Sequence, residues 1–154
     1  MILSLVDEEP SHLSAQGAAF VTPGIADWAT IQFVFPSGAR GHIQASWVSP
    51  YKEQRLVVIG GSGMLVFDDA EPDWTKKLAL YRHGIDRSGP VPVPEKATAE
   101  YIEVARDEPL KAECLHFVEM AATGKRPLTD GNEGLRVLKF LERAEAELAA
   151  SLAR

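Results

Sequence analysis

Cysteine is almost absent from this sequence: Cys114 stands alone among 154 residues. A lone thiol excludes an intramolecular disulfide framework and a Cys-rich zinc site, so the fold has to rest on an apolar core. Long apolar runs are also missing. No stretch approaches the roughly 18 uninterrupted apolar residues that mark a membrane-spanning helix. Basic residues are outnumbered, 16 against 22 acidic, giving a net charge of −6 and a sequence pI near 5.2. That field disfavours nucleic acid and anionic membrane as partners. The opening Met1-Ile2-Leu3-Ser4-Leu5-Val6 has no basic region before it and runs at once into Asp7-Glu8-Glu9, unlike a secretory signal. On these grounds the expected compartment is the reducing cytoplasm. There is no internal repeat and no low-complexity run.

What is present is an ordinary globular composition, 45% hydrophobic and 25% charged. The length predicts a single domain, residues 1–154, able to bury a core. Residues 1–6 read as a helix end or a strand. Leu13 to Val21 reads as a strand, and Thr22-Pro23-Gly24 as a turn. Asp27 to Phe35 alternates, with Ile31, Phe33 and Phe35 on one face and Thr30, Gln32 and Val34 on the other. Pro36-Ser37-Gly38 breaks it. Gly41 to Val48 alternates again, with Ile43, Ala45 and Trp47 facing opposite to His42, Gln44 and Ser46. A hairpin that buries both apolar sets pairs Phe33 with Ile43 and Ile31 with Ala45. Arg55 to Ile59 and Met64 to Phe67 are apolar on both faces and flank Gly60-Gly61-Ser62-Gly63, a second hairpin. Lys77 to His83 and Glu100 to Ala105 read as further strands. The Pro-rich Gly84 to Pro94 reads as extended chain or loop.

The pattern then turns helical. Pro109 suits a first helical position, Leu110, Cys114, Phe117 and Ala121 recur at helical spacing, and Gly124 suits the stop. Asp130 with Glu133 three residues on marks a second start, followed by Leu135, Leu138, Leu141, Ala144, Leu148 and Leu152 as one apolar face. Strands followed by two helices describe an α+β fold with an open, mainly antiparallel sheet and helices on one face. The middle strands are apolar on both faces, so the other sheet face is expected to be covered by another subunit.

Several constellations resemble chemistry and fail on context. Gly60-Gly61-Ser62-Gly63 is not a dinucleotide cradle, because no helix follows to carry the pyrophosphate and the third glycine of G-x-G-x-x-G is missing. It is not a nucleophile elbow either, since Met64 stands at the closing glycine. Glu113-x-x-His116 has di-metal spacing but no second copy. Asp68, Asp69 and Asp73 lack the EF-hand pattern and read as turn-forming acids. His42, Gln44 and Ser46, with Thr30 and Gln32, form a polar stripe that suits a ligand, a hydrogen-bonded subunit contact or plain solvent. The connection Ser46-Trp47-Val48-Ser49-Pro50-Tyr51-Lys52-Glu53-Gln54-Arg55 mixes aromatic and charged groups at a strand end. Such a mix suits a sugar or nucleotide, and equally an edge loop with solvated charges.

The order of the pieces carries a resemblance. Phe35-Pro36-Ser37-Gly38-Ala39 is followed by Ser46 to Gly60, then Gly63-Met64-Leu65-Val66-Phe67-Asp68-Asp69, Glu108 to Glu113 and Pro127 to Gly134. This resembles the C-terminal domain of the Gfo/Idh/MocA oxidoreductases, the glucose-fructose oxidoreductase and inositol dehydrogenase family. The nucleotide-sugar 3-dehydrogenase branch is the nearest in flavour. The resemblance implies an N-terminal Rossmann domain for NAD(P) and a C-terminal α+β domain whose open sheet packs against another subunit. It also implies a catalytic Lys in a Glu-Lys-Pro motif and a catalytic His. Here Glu95-Lys96 is followed by Ala97 and no G-x-G-x-x-G is present; by the resemblance, Met1 is expected to fall just after the position of the family His.

No catalytic, cofactor-binding or metal-binding residue is therefore carried over. The expected role is the substrate-binding and oligomerisation domain of a sugar or nucleotide-sugar oxidoreductase, catalytically silent alone. NAD(P) is implied for the longer family proteins and not for this chain by itself. A separate Rossmann-domain chain is one expected partner; a second copy, docked through the sheet face, is another. The alternative is a stand-alone assembly module that self-associates through its sheet. The residues expected to touch a sugar or nucleotide-sugar ligand are Trp47, Tyr51, Lys52 and Gln54, with Lys52 meeting an anionic group.

Overall fold

The computed structural model describes residues 1–82 and 84–153. The fold is α+β, with open antiparallel sheets and two long helices at the C-terminal end. The chain divides into two compact units, Met1–Ser49 with His116–Arg154, and Pro50–Leu115.

The first unit is built on β1 (His12–Ala18), β2 (Trp28–Val34) and β3 (Arg40–Ser46), antiparallel and in that order. Alternation sets its faces. Leu13 and Ala15 lie opposite Phe33 and Ile31, and Ile31 opposite Ile43. Helix α1 (Ile2–Val6) supplies Leu3, and the C-terminal helix α3 (Gly131–Leu152) supplies Phe140 and Ala144. With Leu13, Phe33 and Phe35 these residues form one buried cluster. Phe33 is 2% exposed and meets Phe35 and Phe140 edge-on, with ring centroids 5.5 and 5.1 Å away. Edge-to-face contact aligns the ring quadrupoles favourably.

The β2–β3 register differs from the sequence expectation by two residues. Phe33 lies opposite Gly41 rather than Ile43, and Ile31 opposite Ile43 rather than Ala45. The face assignment survives, because a two-residue shift preserves alternation. The cause is a tight turn. Phe35 N–H donates to the Ala39 carbonyl and Gly38 N–H to the Phe35 carbonyl, each 2.9 Å. The Phe33 ring then fills the space over Gly41, where a Cβ would collide with it. Gly17 serves likewise beneath α3, where a Cβ would overlap Leu148.

Strand β1 stops short of the expected Val21. The N–H groups of Phe20 and Val21 turn instead to the Asp27 carboxylate, 2.7 Å each. The Thr22-Pro23-Gly24 turn forms as read, with Ile25 N–H donating to the Thr22 carbonyl at 3.1 Å. At the start of α3, the Asp130 side chain accepts from Asn132 and Glu133 N–H, 3.0 Å each, which is the expected cap. The expected single apolar face of α3 is not single. Phe140 and Ala144 are buried, whereas Leu135, Leu138 and Leu141 are exposed by about half. At 3.6 residues per turn each three-residue step falls roughly 60° short of a full turn, so this leucine row winds off the core.

Helix α2 (Pro109–Thr123) starts at Pro109 and ends at Gly124 as read, with Gly124 N–H donating to the Met120 carbonyl at 2.9 Å. No residue of α2 is buried, including the expected face of Leu110, Cys114, Phe117 and Ala121.

The second unit holds β4 (Arg55–Gly60), β5 (Gly63–Asp68), β6 (Leu78–Tyr81) and β9 (Glu100–Tyr101) in one four-stranded antiparallel sheet. Gly60 pairs with Gly63, so the Gly-rich segment is the expected hairpin turn. The segment read as a Pro-rich loop carries a two-residue ribbon, β7 (Ile85–Asp86) with β8 (Val93–Pro94). The strand expected over Lys77 to His83 is Leu78–Tyr81, and His83 lies outside the described residues. The strand expected over Glu100 to Ala105 contracts to two residues, because its partner β6 begins at Leu78 and the last bond is Ile102 N–H to the Leu78 carbonyl. Val57 and Ile59 lie on one face with Met64 and Val66, and Val58 lies on the other with Leu65. Among the described residues of this unit, Ala79 is the one buried hydrophobic side chain, and Ile59 is 70% exposed.

Candidate functional site

The connection between β3 and β4 carries the four residues expected to meet a ligand. Trp47 follows β3 directly, in the first unit. Its N–H donates to the Asp27 carbonyl at 3.2 Å, and Ser46 Oγ donates to the same oxygen at 3.2 Å. Asp27 is 1% exposed and is itself held by Phe20 and Val21 N–H. The backbone at Trp47 is thus anchored while its indole is 68% exposed. An anchored backbone under a free aromatic face suits stacking against a planar or sugar ring.

Tyr51, Lys52 and Gln54 belong to the second unit and are exposed. The Gln54 carbonyl accepts Asp69 N–H at 2.9 Å. Among the described residues no hydrogen bond or ion pair joins any two of Trp47, Tyr51, Lys52 and Gln54. The structure places them as neighbours along the chain, three in one unit and Trp47 in the other.

The base on which Tyr51 to Gln54 stand is well tied. Arg55 forks onto Asp68 Oδ2, with Nη2 at 2.8 Å and Nε at 3.1 Å, and Ala70 N–H donates to Asp68 Oδ1 at 3.0 Å. The Arg55 hydrogen bond holds the Asp68 carboxyl below its ordinary range, and the same bond raises Arg55. The Lys77 ammonium is buried, donates to the Asp69 carbonyl at 2.6 Å and lies 5.0 Å from the Trp74 ring centroid. Asp73 caps the single 3-10 turn Trp74–Lys76. Asp68, Asp69 and Asp73 are therefore occupied as caps and ion-pair partners. No group of three or more metal-ligand side chains occurs among the described residues.

Two hollows lie in the first unit. The polar stripe expected from alternation is real: Gln32 lies opposite His42, Thr30 opposite Gln44, and β1 adds Ser14 and Gln16 to that face. A shallow depression of about 400 Å³ opens there beside His12, Ser14, Gln32, Arg40 and His42. The second, of about 340 Å³, lies between the end of α1 and the start of α3. Arg136 crosses it, with Nε 2.5 Å from Glu9 Oε1 and Nη2 2.6 Å from the Glu8 carbonyl. The Glu9 bond raises the guanidinium above its ordinary value. Its charge is already committed, so this recess is a clasp between helices rather than an anion pocket. His116 Nε2 accepts Leu128 N–H at 3.2 Å, which accounts for that histidine without a metal.

A dinucleotide needs glycine-rich backbone leading into a helix N-terminus. Gly60 to Gly63 instead turns β4 into β5. The open N-terminus of α3 is filled by its own Asp130. The residues present do not fit the NAD(P) pyrophosphate.

The first 66 residues match the family model for the GFO/IDH/MocA C-terminal domain. UDP-N-acetylglucosamine 3-dehydrogenase GnnA from Acidithiobacillus ferrooxidans superposes with a TM-score of 0.82 at 25% identity, covering 97% of this chain and 44% of that one. Over those first 66 residues the chain is similar to the C-terminal domain of the Gfo/Idh/MocA oxidoreductases. The fold is shared by aldose-aldose oxidoreductase from Caulobacter crescentus, with a TM-score of 0.66, 22% identity and 95% and 41% of the two chains covered. An NAD-binding protein from Listeria innocua superposes with a TM-score of 0.69, 19% identity and 97% and 46% covered. No curated protein gives a significant sequence match. This chain spans less than half the length of these solved chains.

Sequence reasoning missed the residues that hold this domain's loops in place. The Asp27 and Lys77 side chains bind backbone groups across a turn, and Arg136 binds the Glu8 carbonyl far along the chain; no helix or strand period announces such bonds. Asp27 alone had a signal, an acid just past a Thr-Pro-Gly turn at a strand start.

Proposed function

We propose that this chain is the substrate-binding and oligomerisation half of an NAD(P)-dependent sugar or nucleotide-sugar oxidoreductase, without catalytic activity by itself. The observation that carries the reading is the likeness to a UDP-N-acetylglucosamine 3-dehydrogenase over 97% of this chain but 44% of that one. What is present is a domain with exposed Trp47, Tyr51 and Lys52. In this reading the aromatic faces stack on a sugar or base, Gln54 orients a hydroxyl, and the Lys52 ammonium meets a diphosphate. The compartment assigned is the cytoplasm, in keeping with a free exposed Cys114.

Calorimetric titration of the purified chain with UDP-N-acetylglucosamine tests this. Lys52→Ala is expected to weaken binding several-fold, and unchanged affinity removes Lys52 from the site. Titration with NADH and NADPH is expected to give no heat. Tight binding by the chain alone overturns the reading that the nicotinamide domain lies elsewhere.

A second reading has its own observation. Val57 and Ile59 on one face of β4, and Val58 with Leu65 on the other, are all exposed in the described structure. In this reading the sheet of the second unit pairs with a second copy. Sedimentation is expected to show dimers or larger species that Ile59→Lys dissolves; monomer alone at high protein concentration ends this reading.

A further inference from the structure

We propose that Lys77 is a positioning residue for the candidate ligand segment, and that its buried ammonium fixes Lys52 to Gln54 through Asp69. The proposal rests on the reading of Tyr51, Lys52 and Gln54 as ligand contacts. All the groups involved belong to the second unit.

Lys77 holds one pair of residues, which in turn holds another. Its carbonyl accepts Asp68 N–H at 2.9 Å, and its ammonium donates to the Asp69 carbonyl at 2.6 Å. Asp68 and Asp69 then reach across to the start of β4. The Asp68 carboxylate takes the Arg55 fork, and Asp69 N–H donates to the Gln54 carbonyl at 2.9 Å. Asp69 is thus clamped on both sides of its backbone, by Lys77 at its carbonyl and by Gln54 at its N–H. The segment before Arg55 has no ladder to order it, since β4 begins at Arg55. Among the described residues, the Asp69 bond is the one hydrogen bond that reaches Tyr51, Lys52 or Gln54.

The burial itself argues for a positioning role. A lysine is seldom buried, because its ammonium gives up hydration. The Lys77 side chain is 8% exposed. It is compensated by the Asp69 carbonyl, by the Asp69 carboxylate at 3.4 Å and by the Trp74 ring, whose centroid lies 5.0 Å away. An apolar side chain of similar length would fill the same space without that penalty. It would not select one position for the Asp69 carbonyl. A directional bond from a buried donor specifies a single loop geometry where packing alone allows several. The Asp69 carboxylate is 53% exposed, so solvent screens the ion pair and the carbonyl bond is the tie that matters. Lys52 lies two residues before the clamped Gln54 carbonyl, so a shift at Asp69 moves the ammonium assigned to an anionic group. Lys77 therefore sets affinity without touching the ligand.

Lys77→Met tests this, with Ala79→Gly as a control for stability alone. Ala79 is buried on β6 opposite Val66 and has no part in the clamp. Both are read in the full chain, well below its melting midpoint. Lys77→Met is expected to speed hydrogen exchange at Asp69 N–H by about tenfold and to leave the β4–β5 ladder amides near the parent rates. In titration with UDP-N-acetylglucosamine, Lys77→Met is expected to weaken affinity several-fold and Ala79→Gly to leave it unchanged. Lys77→Arg keeps a charged donor and is expected to recover part of both effects. Equal weakening by Lys77→Met and Ala79→Gly, or parent-like exchange at Asp69 in Lys77→Met, overturns the proposal. If Lys77→Met does not fold, Lys77→Gln, whose shorter amide falls short of the carbonyl, gives the same two readings. A parent chain that binds no sugar nucleotide refutes the ligand reading instead; the exchange rate at Asp69 then decides by itself whether Lys77 holds the segment.

Discussion

The two units have comparably apolar strands and very different interiors. In the first, Phe33, Phe35 and Phe140 interlock behind Leu3, Leu13 and Ala144. In the second, Ala79 is the buried hydrophobic residue among those described, while Val57, Val58, Ile59 and Leu65 face water. The difference is a second layer. A sheet buries one face only when something lies across it, and α3 does this for β1–β3. The lesson is that apolar alternation specifies where a core would be, and a covering element decides whether it is one.

The sharpest way to break the comparison is to remove a large side chain from each unit. Phe140→Ala leaves a cavity beneath two aromatic rings and is expected to cost about 3–5 kcal/mol in urea unfolding of the isolated chain. Ile59→Ala, at an exposed position, is expected to change the same measurement by about 0.5 kcal/mol or less. Equal costs would mean that the second unit has a hidden core and that the contrast is wrong.

A smaller effect is expected at Asp27. Its carboxylate holds Phe20 and Val21 N–H at 2.7 Å, and its carbonyl holds Trp47 N–H. Asp27→Ala strands two donors, with an expected loss of about 1–3 kcal/mol. Trp47 N–H is held by the Asp27 backbone carbonyl, which alanine retains, so its indole fluorescence is expected to stay unchanged on the same substitution. A changed stability with unchanged Trp47 emission, read in a variant that retains only that tryptophan, separates the structural bond from any part in the candidate site.

Much of this architecture was legible in the sequence because it is local. Alternation in β2 and β3, the Gly60–Gly63 turn, Pro109 and Gly124 at the ends of α2, and the Asp130 cap each depend on residues within a few positions of one another. The register of Phe33 was not legible, since it depends on how tightly the Phe35–Ala39 turn closes, which then sets the ring over Gly41. Nor was the drift of Leu135, Leu138 and Leu141 off the core, because which part of a helix stripe is buried depends on where the sheet lies against it. Of the candidate site, residue types were readable and their supports were not. Asp27 reaches Trp47 from the far end of a hairpin, and Lys77 reaches Asp69 across a turn.

The smallest expected effect concerns acid. Asp130 is held below the ordinary carboxyl value, first by the Glu133 N–H it accepts and further by Arg126. A group whose pKa is lower in the folded state stabilises that state above its unfolded value and loses the contribution as pH falls through the folded one. Thermal midpoints are therefore expected to hold from neutrality to about pH 5 and to decline below about pH 4, where free carboxyls take up protons. Asp130→Asn keeps a side-chain oxygen for the cap and removes the titration, so it is expected to flatten that decline slightly. Asp68, lowered mainly by its bond to Arg55, has the same sign in the second unit. Its removal by Asp68→Asn is expected to flatten the decline less, because α3 closes a core and β5 does not. A larger flattening from Asp68→Asn would reverse the order of the two units and place the cooperative core around β4–β6.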